Sequence, residues 1–178
     1  MSRKPSLSLT SRGFPAVVGV KPRVLILGSL PGRASLEAGR YYAQSRNAFW
    51  PIMGALCDAH PEIEYSKRLE LLTRAGVALW DVLFEAVRQG SLDSSIVANT
   101  QRVNDISGLV SRHASLRLVA FNGKKAAEIF RRRIETDLSP GRVETVTLPS
   151  TSPAYASLRP EQKLATWREA LSPYLRAV

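Results

Sequence analysis

Residues 23–32, Arg23-Val24-Leu25-Ile26-Leu27-Gly28-Ser29-Leu30-Pro31-Gly32, decide the architecture. The apolar run is too short for a buried helix, and its branched residues suit a strand covered on both faces. Gly28, Pro31 and Gly32 then stop the strand in a tight turn, because proline has no amide proton and glycine tolerates unusual backbone angles. A buried parallel strand ending this way opens a crevice beyond its carboxyl end, where ligands of open α/β sheets bind.

Strand and helix signals alternate outward from this stretch. Asn47 to Ala59 reads as a helix, with Phe49, Trp50, Met53 and Leu56 at helical spacing and Pro51 tolerable in the first turn. A second helix spans Tyr65 to Ala75 and is ended by Gly76. The apolar segment Val77 to Val82 is strand-like and delivers Asp81 at its carboxyl end. Asn104 is an expected N-cap for a helix through Arg112. Arg117 to Phe121 is another buried strand, turning at Asn122-Gly123 into a helix from Lys124 to Ile134. Arg142 to Leu148 is the fourth strand, and Pro160 to Leu171 closes the chain as a helix. The expectation is an α/β chain: a three-layer α/β/α domain around a central, mainly parallel four-stranded sheet. Its polar loops, Gly28–Trp50, Asp81 onward and Leu148–Leu158, then converge at one edge of the sheet.

The length of 178 residues fits one domain spanning the chain, with residues 1–13 as a flexible lead. Lys plus Arg total 25 against 15 Asp plus Glu, a net charge of +10 spread along the sequence. That balance points to a polyanionic partner without separating nucleic acid from an acidic membrane surface. Cys57 is the only cysteine, which rules out an intrachain disulfide and a Cys-rich metal or iron–sulfur site. His60 and His113 lack ligand spacing, so neither a metal nor a cofactor is expected. No segment has the apolar core of a signal peptide or the length of a membrane span, so a soluble, cytoplasmic monomer is expected.

Taken in order, Gly28-Ser29-Leu30-Pro31-Gly32, Tyr41-Tyr42-Ala43, Arg46-Asn47-Ala48-Phe49-Trp50, Leu79-Trp80-Asp81-Val82, Ser91-Leu92-Asp93-Ser94-Ser95-Ile96, Asn104-Asp105-Ile106, Phe121-Asn122-Gly123-Lys124 and Leu148-Pro149-Ser150-Thr151-Ser152-Pro153-Ala154 form a specific set. The set resembles the uracil-DNA glycosylase superfamily, most of all its hypoxanthine-DNA glycosylase branch, with a secondary likeness to the mismatch-specific uracil/thymine enzymes. The resemblance covers roughly residues 14–175. It implies a monofunctional DNA glycosylase of base-excision repair. Such an enzyme extrudes a deaminated base, uracil or hypoxanthine, from DNA and hydrolyses its N-glycosidic bond.

Two departures bear on catalysis. Leu30 stands where the best-known members carry an acidic residue and the mismatch-specific enzymes an Asn, and Leu148 stands where the best-known members carry a His. The alternative reading is therefore a non-catalytic relative that binds damaged DNA through a retained base pocket. A nucleotide-binding α/β domain would need phosphate-loop glycines that this chain lacks.

Residue by residue, the resemblance places Asp81 where the uracil-specific branch has a base-reading Asn. An ionised Asp81 would accept from the ring N–H of uracil or hypoxanthine and repel the bare ring nitrogen of cytosine or adenine. A strand-end cap or ion pair is the plainer role, and stabilisation of a cationic sugar is a further one. Tyr42 aligns with the aromatic on which the extruded base stacks, although Tyr41 and Tyr42 also suit a core. Gly32 replaces a Tyr that excludes bulk, leaving room for a purine, and main-chain amides from Leu30 to Gly32 would donate to a base oxygen. Asn47 is the candidate that orients water toward the anomeric carbon, with a helix cap as the alternative.

Ser150, Thr151 and Ser152 would grip phosphates, and Tyr155, or else Leu158, would fill the gap left by the base. Asn122-Gly123-Lys124 suits either a phosphate site with Lys124 or a structural turn. Arg131–Arg133 reads as a solvated helix face and Ser91–Ile96 as turn and capping residues, while Trp80 and Trp167 belong to the core.

Overall fold

The computed structural model describes residues 10–177. Its strands are β1 (Thr10–Arg12), β2 (Val24–Gly28), β3 (Val77–Asp81), β4 (Leu83–Val87), β5 (Arg102–Val103), β6 (Leu118–Asn122) and β7 (Glu144–Leu148). Its α-helices are α1 (Arg33–Ala38), α2 (Phe49–Cys57), α3 (Tyr65–Arg74), α4 (Ile106–Arg112), α5 (Lys124–Arg133) and α6 (Pro160–Leu171). The expected four-stranded sheet forms in the order β3-β2-β6-β7, parallel throughout.

Alternation along the strands builds the layers, since successive side chains leave opposite faces of a sheet. Leu25, Leu27, Ala78, Val119 and Phe121 face α4 and α5, where Phe121 meets Phe130 at 4.8 Å between ring centroids. Val24, Ile26, Val77, Leu79 and Ala120 face the other way, onto α2, α3 and α6, around the fully buried Phe49 and Trp167. Each such large side chain contributes on the order of 2–3 kcal/mol by leaving water.

The structure adds a second, three-stranded antiparallel sheet in the order β1-β4-β5, which the sequence reading did not anticipate. Its strands run two to five residues, too short for alternation to show. Thr10–Arg12 pair with β4 and Gly13 N–H donates to Phe84 O at 2.8 Å, so this part of the expected flexible lead is ordered. Residues 1–9 lie outside the described segment.

The expected Asn104 cap is also corrected. Asp105 caps α4, its Oδ1 accepting from Gly108 N at 2.9 Å, while Asn104 Nδ2 donates to Asp81 O at 2.8 Å. One residue decides which side chain meets the free amides and which turns back to the sheet.

Candidate active site

Register places the reactive ends of the strands together. Gly28 lies opposite Asp81, and Asn122 opposite Leu148, at the carboxyl edge of the parallel sheet. Beyond that edge is a cavity of about 540 Å³, lined among others by Gly28, Leu30, Gly32, Tyr42, Asn47, Asp81, Asp93, Asn122, Ser150, Thr151, Ser152 and Tyr155. Its size falls in the range of small-molecule sites. The three converging loops meet there and bring together Leu30, Gly32, Tyr42, Asn47, Asp81, Ser150, Thr151, Ser152 and Tyr155, whereas Lys124 and the alternative gap-filler Leu158 are not part of the lining.

Asp81 forms the buried end of the cavity at 4 % exposure, and among the described residues its Oδ2 has no hydrogen-bond partner. A Cβ on Gly28 would lie 2.5 Å from Asp81 Oδ1 and 3.5 Å from the Tyr42 hydroxyl, so only glycine fits between them. Burial, reinforced by the charge of Asp93 and partly offset by Arg88, pushes the Asp81 carboxyl up to about 7. Its expected ionised form is therefore only part of the population at neutral pH.

Tyr42 holds a left-handed backbone (φ 54°), rare outside glycine, and its ring stacks on Phe49 at 3.9 Å with an interplanar angle of 18°. One face of Tyr42 is thus committed to the core while the residue still lines the cavity. Burial, then the nearby Asp81 charge, raises its hydroxyl above the ordinary tyrosine range.

Leu30 is 5 % exposed and packs into the core between the sheet and α5. Its carbonyl accepts from Arg88 Nη1 at 3.3 Å, and Pro31 O accepts from Arg88 Nη2. Arg88, 3 % exposed, thereby braces the first loop from below. A Cβ on Gly32 would meet nothing within 4 Å, so the space beside it is open.

Asn47 Oδ1 accepts from Phe49 N at 3.0 Å, an Asx-type turn one position ahead of the N-cap of α2, which is Ala48 and not the expected Asn47, and the residue stays on the cavity wall. Asn122 holds the last loop: its Nδ2 donates to Thr151 Oγ1 at 2.8 Å and its Oδ1 accepts from Thr151 N at 2.9 Å. Thr151 is consequently 1 % exposed, an anchor for the loop. Ser150 Oγ and Ser152 Oγ accept from the amides of Ser152 and Ala154, each at 3.2 Å. Their hydroxyl protons stay free to donate outward.

Lys163 on α6 ties the same loop by donating to Tyr155 O at 2.7 Å, and Trp167 Nε1 donates to Pro149 O at 2.9 Å. Gly123, with φ 98°, brings β6 against Ser150, where a Cβ would approach Ser150 Cβ to 3.1 Å. Lys124 is exposed outside the cavity, on a groove with Glu128, Arg131, Arg132 and Thr147.

Sequence reasoning assigned no chemistry to Ser29, Arg88 or Asp93 and missed Lys163 as a loop tether. Asp93 belongs to the segment read as turn and capping residues. Its acidic side chain in a loop predicted no partner, because Ser29 lies 64 positions away. Among the described residues no group of three or more His, Cys, Asp or Glu is gathered to hold a metal ion, and no helix is long and apolar enough to cross a membrane.

The sequence matches the uracil DNA glycosylase superfamily over residues 15–176. A hypoxanthine DNA glycosylase of Methanosarcina acetivorans is 40 % identical over 147 residues, covering 82 % of this chain and 89 % of that protein. A hypoxanthine DNA glycosylase of Methanosarcina barkeri is 38 % identical over 121 residues, covering 67 % of this chain and 75 % of the relative. A solution NMR structure from Methanosarcina acetivorans, described as a candidate uracil DNA glycosylase, superposes with a TM-score of 0.73 at 35 % identity, covering 90 % of this chain and 98 % of that one.

Proposed function

This chain belongs to the uracil DNA glycosylase superfamily, and on that premise we propose that its cavity takes up hypoxanthine or uracil rotated out of DNA and releases it by hydrolysis. The protein is a DNA glycosylase for deaminated bases, in keeping with relatives named hypoxanthine DNA glycosylase. The observation that carries the residue assignment is Asp81: a buried carboxyl with a free Oδ2 at the end of a cavity large enough for a purine.

Asp81 reads the edge of the base. As an anion it accepts from the ring N–H that deamination creates, and as a neutral carboxyl it pairs with both that N–H and the adjacent carbonyl. Tyr42, backed by Phe49, offers a rigid plate for stacking, and the open space at Gly32 admits the larger ring. The main chain of Leu30 to Gly32 donates to a base oxygen regardless of side-chain identity. This compensates for Leu148, which is buried and packs in the core.

The C1′–N bond breaks with its electron pair passing to the base, and water supplies the oxygen that replaces it. Asn47, fixed by its bond to Phe49, positions that water with its remaining hydrogen-bonding capacity. Ser150 and Ser152 donate to phosphates around the rotated nucleotide, Thr151 fixes their loop, Tyr155 stands at the rim to fill the gap, and Lys124 adds a more distant phosphate contact. No lysine lines the cavity among the described residues, consistent with hydrolysis without strand cleavage. The reading is of a monomeric, cytoplasmic enzyme without metal or cofactor, working as one domain.

The test is a set of oligonucleotides bearing uracil, hypoxanthine, xanthine or mismatched thymine, assayed at single turnover for alkali-labile product. Excision of hypoxanthine or uracil is expected. No product from either, with binding retained, would favour a module that only binds damaged DNA.

A further inference from the structure

Breaking the C1′–N bond leaves positive charge on the sugar, and a neutral amide at Asn47 and a buried Leu30 cannot balance it. Asp93 supplies a carboxylate in the same cavity from an unrelated element. It begins a short 3-10 turn, Asp93–Ser95, after β4, and its Oδ1 accepts from Ser29 Oγ at 2.6 Å. Ser29 is buried and follows Gly28, whose main chain abuts the Asp81 carboxylate.

The turn itself is held on several sides. Ser95 N donates to Leu92 O at 3.0 Å, Arg88 bridges to Ile96, and Arg33 N at the start of α1 donates to Ser91 Oγ at 3.2 Å. Asp93 is therefore fixed beside the first loop, partly exposed, while Asp81 lies deeper. In a rotated nucleotide the sugar stands between the base and its phosphates, hence between the Asp81 end of the cavity and the Ser150–Tyr155 rim.

We propose that Asp93 is a second active-site carboxylate, facing the sugar, where it balances the charge developing at C1′ and receives the proton of the attacking water. This rests on the glycosylase reading. The C1′–N electron pair leaves with the base, the water oxygen bonds to C1′, one water proton passes to Asp93 and then to solvent, and the departed base takes up a proton from solvent.

The surroundings divide the work between the two carboxyls, as acid–base pairs in active sites do. Burial raises Asp93, but its bond from Ser29 and the charges of Arg88 and Lys125 favour its anion. Asp81 feels the charges of Asp93 and Arg88 and lies beside the Tyr42 hydroxyl, with the Tyr41 hydroxyl turned to Pro15 O, and burial pushes it up to about 7.

Asp93→Asn tests the proposal, because the amide oxygen still accepts from Ser29 and only the charge is lost. Single-turnover excision from a deoxyinosine or uracil duplex is expected to fall by about a hundredfold, with affinity for a duplex carrying uncleavable 2′-fluoro-deoxyinosine changed less than about twofold. The near-neutral midpoint of the rate–pH profile is expected to move to lower pH, since Asp81 loses a like charge. Asp93→Glu, which restores the charge, is expected to recover at least about tenfold over the amide. Excision by Asp93→Asn within about threefold of wild type overturns the proposal alone. So does a joint loss of rate and affinity with an unmoved pH midpoint. Wild-type protein that releases neither base overturns the glycosylase reading and this proposal with it.

Discussion

The parallel sheet and the small antiparallel sheet reach the same cavity by different means. From the first come Gly28, Asp81 and Asn122, aligned by strand register and buried on both faces. The segment that follows β4 of the second contributes Arg88 and, in the next turn, Asp93, both fixed by contacts with the first loop. On the proposed reading, the base-holding end is set by the rigid core, whereas the proposed charge beside the sugar hangs on a turn held by a few side-chain bonds. Geometry that must discriminate one ring edge from another belongs on the stiffer element, and a group acting mainly through its charge tolerates the looser one.

The sharpest way to break this comparison is Gly28→Ala. The new Cβ would fall 2.5 Å from Asp81 Oδ1, so the carboxylate or β2 must shift. Single-turnover excision is expected to drop by at least about a hundredfold, the cost of misplacing a reacting group by about an ångström. Wild-type rates in this variant would show that Asp81 does not depend on the strand pair for its position.

A second measurement isolates the buried carboxyl. Asp81 ordinarily titrates at 3.8 and is raised to about 7 in the fold, so the folded state keeps a proton that the unfolded chain releases. Its penalty is absent below pH about 4, grows as pH rises, and is complete above about 7, because stability falls with pH wherever the folded state binds more protons. Asp81→Asn removes that dependence. Urea unfolding is expected to show the variant gaining roughly 2.5 kcal/mol on wild type between pH 5 and 8, on the order of seventyfold in the folding constant. A gain that does not vary with pH would mean that Asp81 is already ionised in the fold.

The smallest effect belongs outside both sheets' cavity contributions. Lys124→Ala removes an exposed cation from the groove beside α5. Binding to undamaged duplex is expected to weaken by about threefold near physiological salt, with the slope of log affinity against log salt reduced by about one. An unchanged slope would take Lys124 off the DNA path.

Much of this was readable along the chain. Val24–Leu27 and Leu118–Phe121 are continuous apolar runs bounded by turn residues, and parallel strands buried on both faces look like that in any sequence. Tyr42, Asn47 and Asp81 could be named because they belong to the ordered motifs that carry the family resemblance. Asn104 was legible as a capping type but not as the residue that turns inward, since adjacent Asn and Asp offer the same chemistry and only packing chooses between them. Thr151 read as a phosphate ligand because a hydroxyl in a loop looks free until its partner, Asn122, is in place.

The sequence by itself determined the layered α/β architecture, the edge at which the loops gather and the family to which the chain belongs, since hydrophobic period, turn chemistry and ordered motifs are local properties. Only the tertiary structure decided that Ser29 would orient Asp93, that Arg88 would brace the Leu30–Pro31 carbonyls, and that burial would push the Asp81 carboxyl up to about 7. Those outcomes depend on distance and on the exclusion of water between residues remote in the chain, which no local pattern encodes.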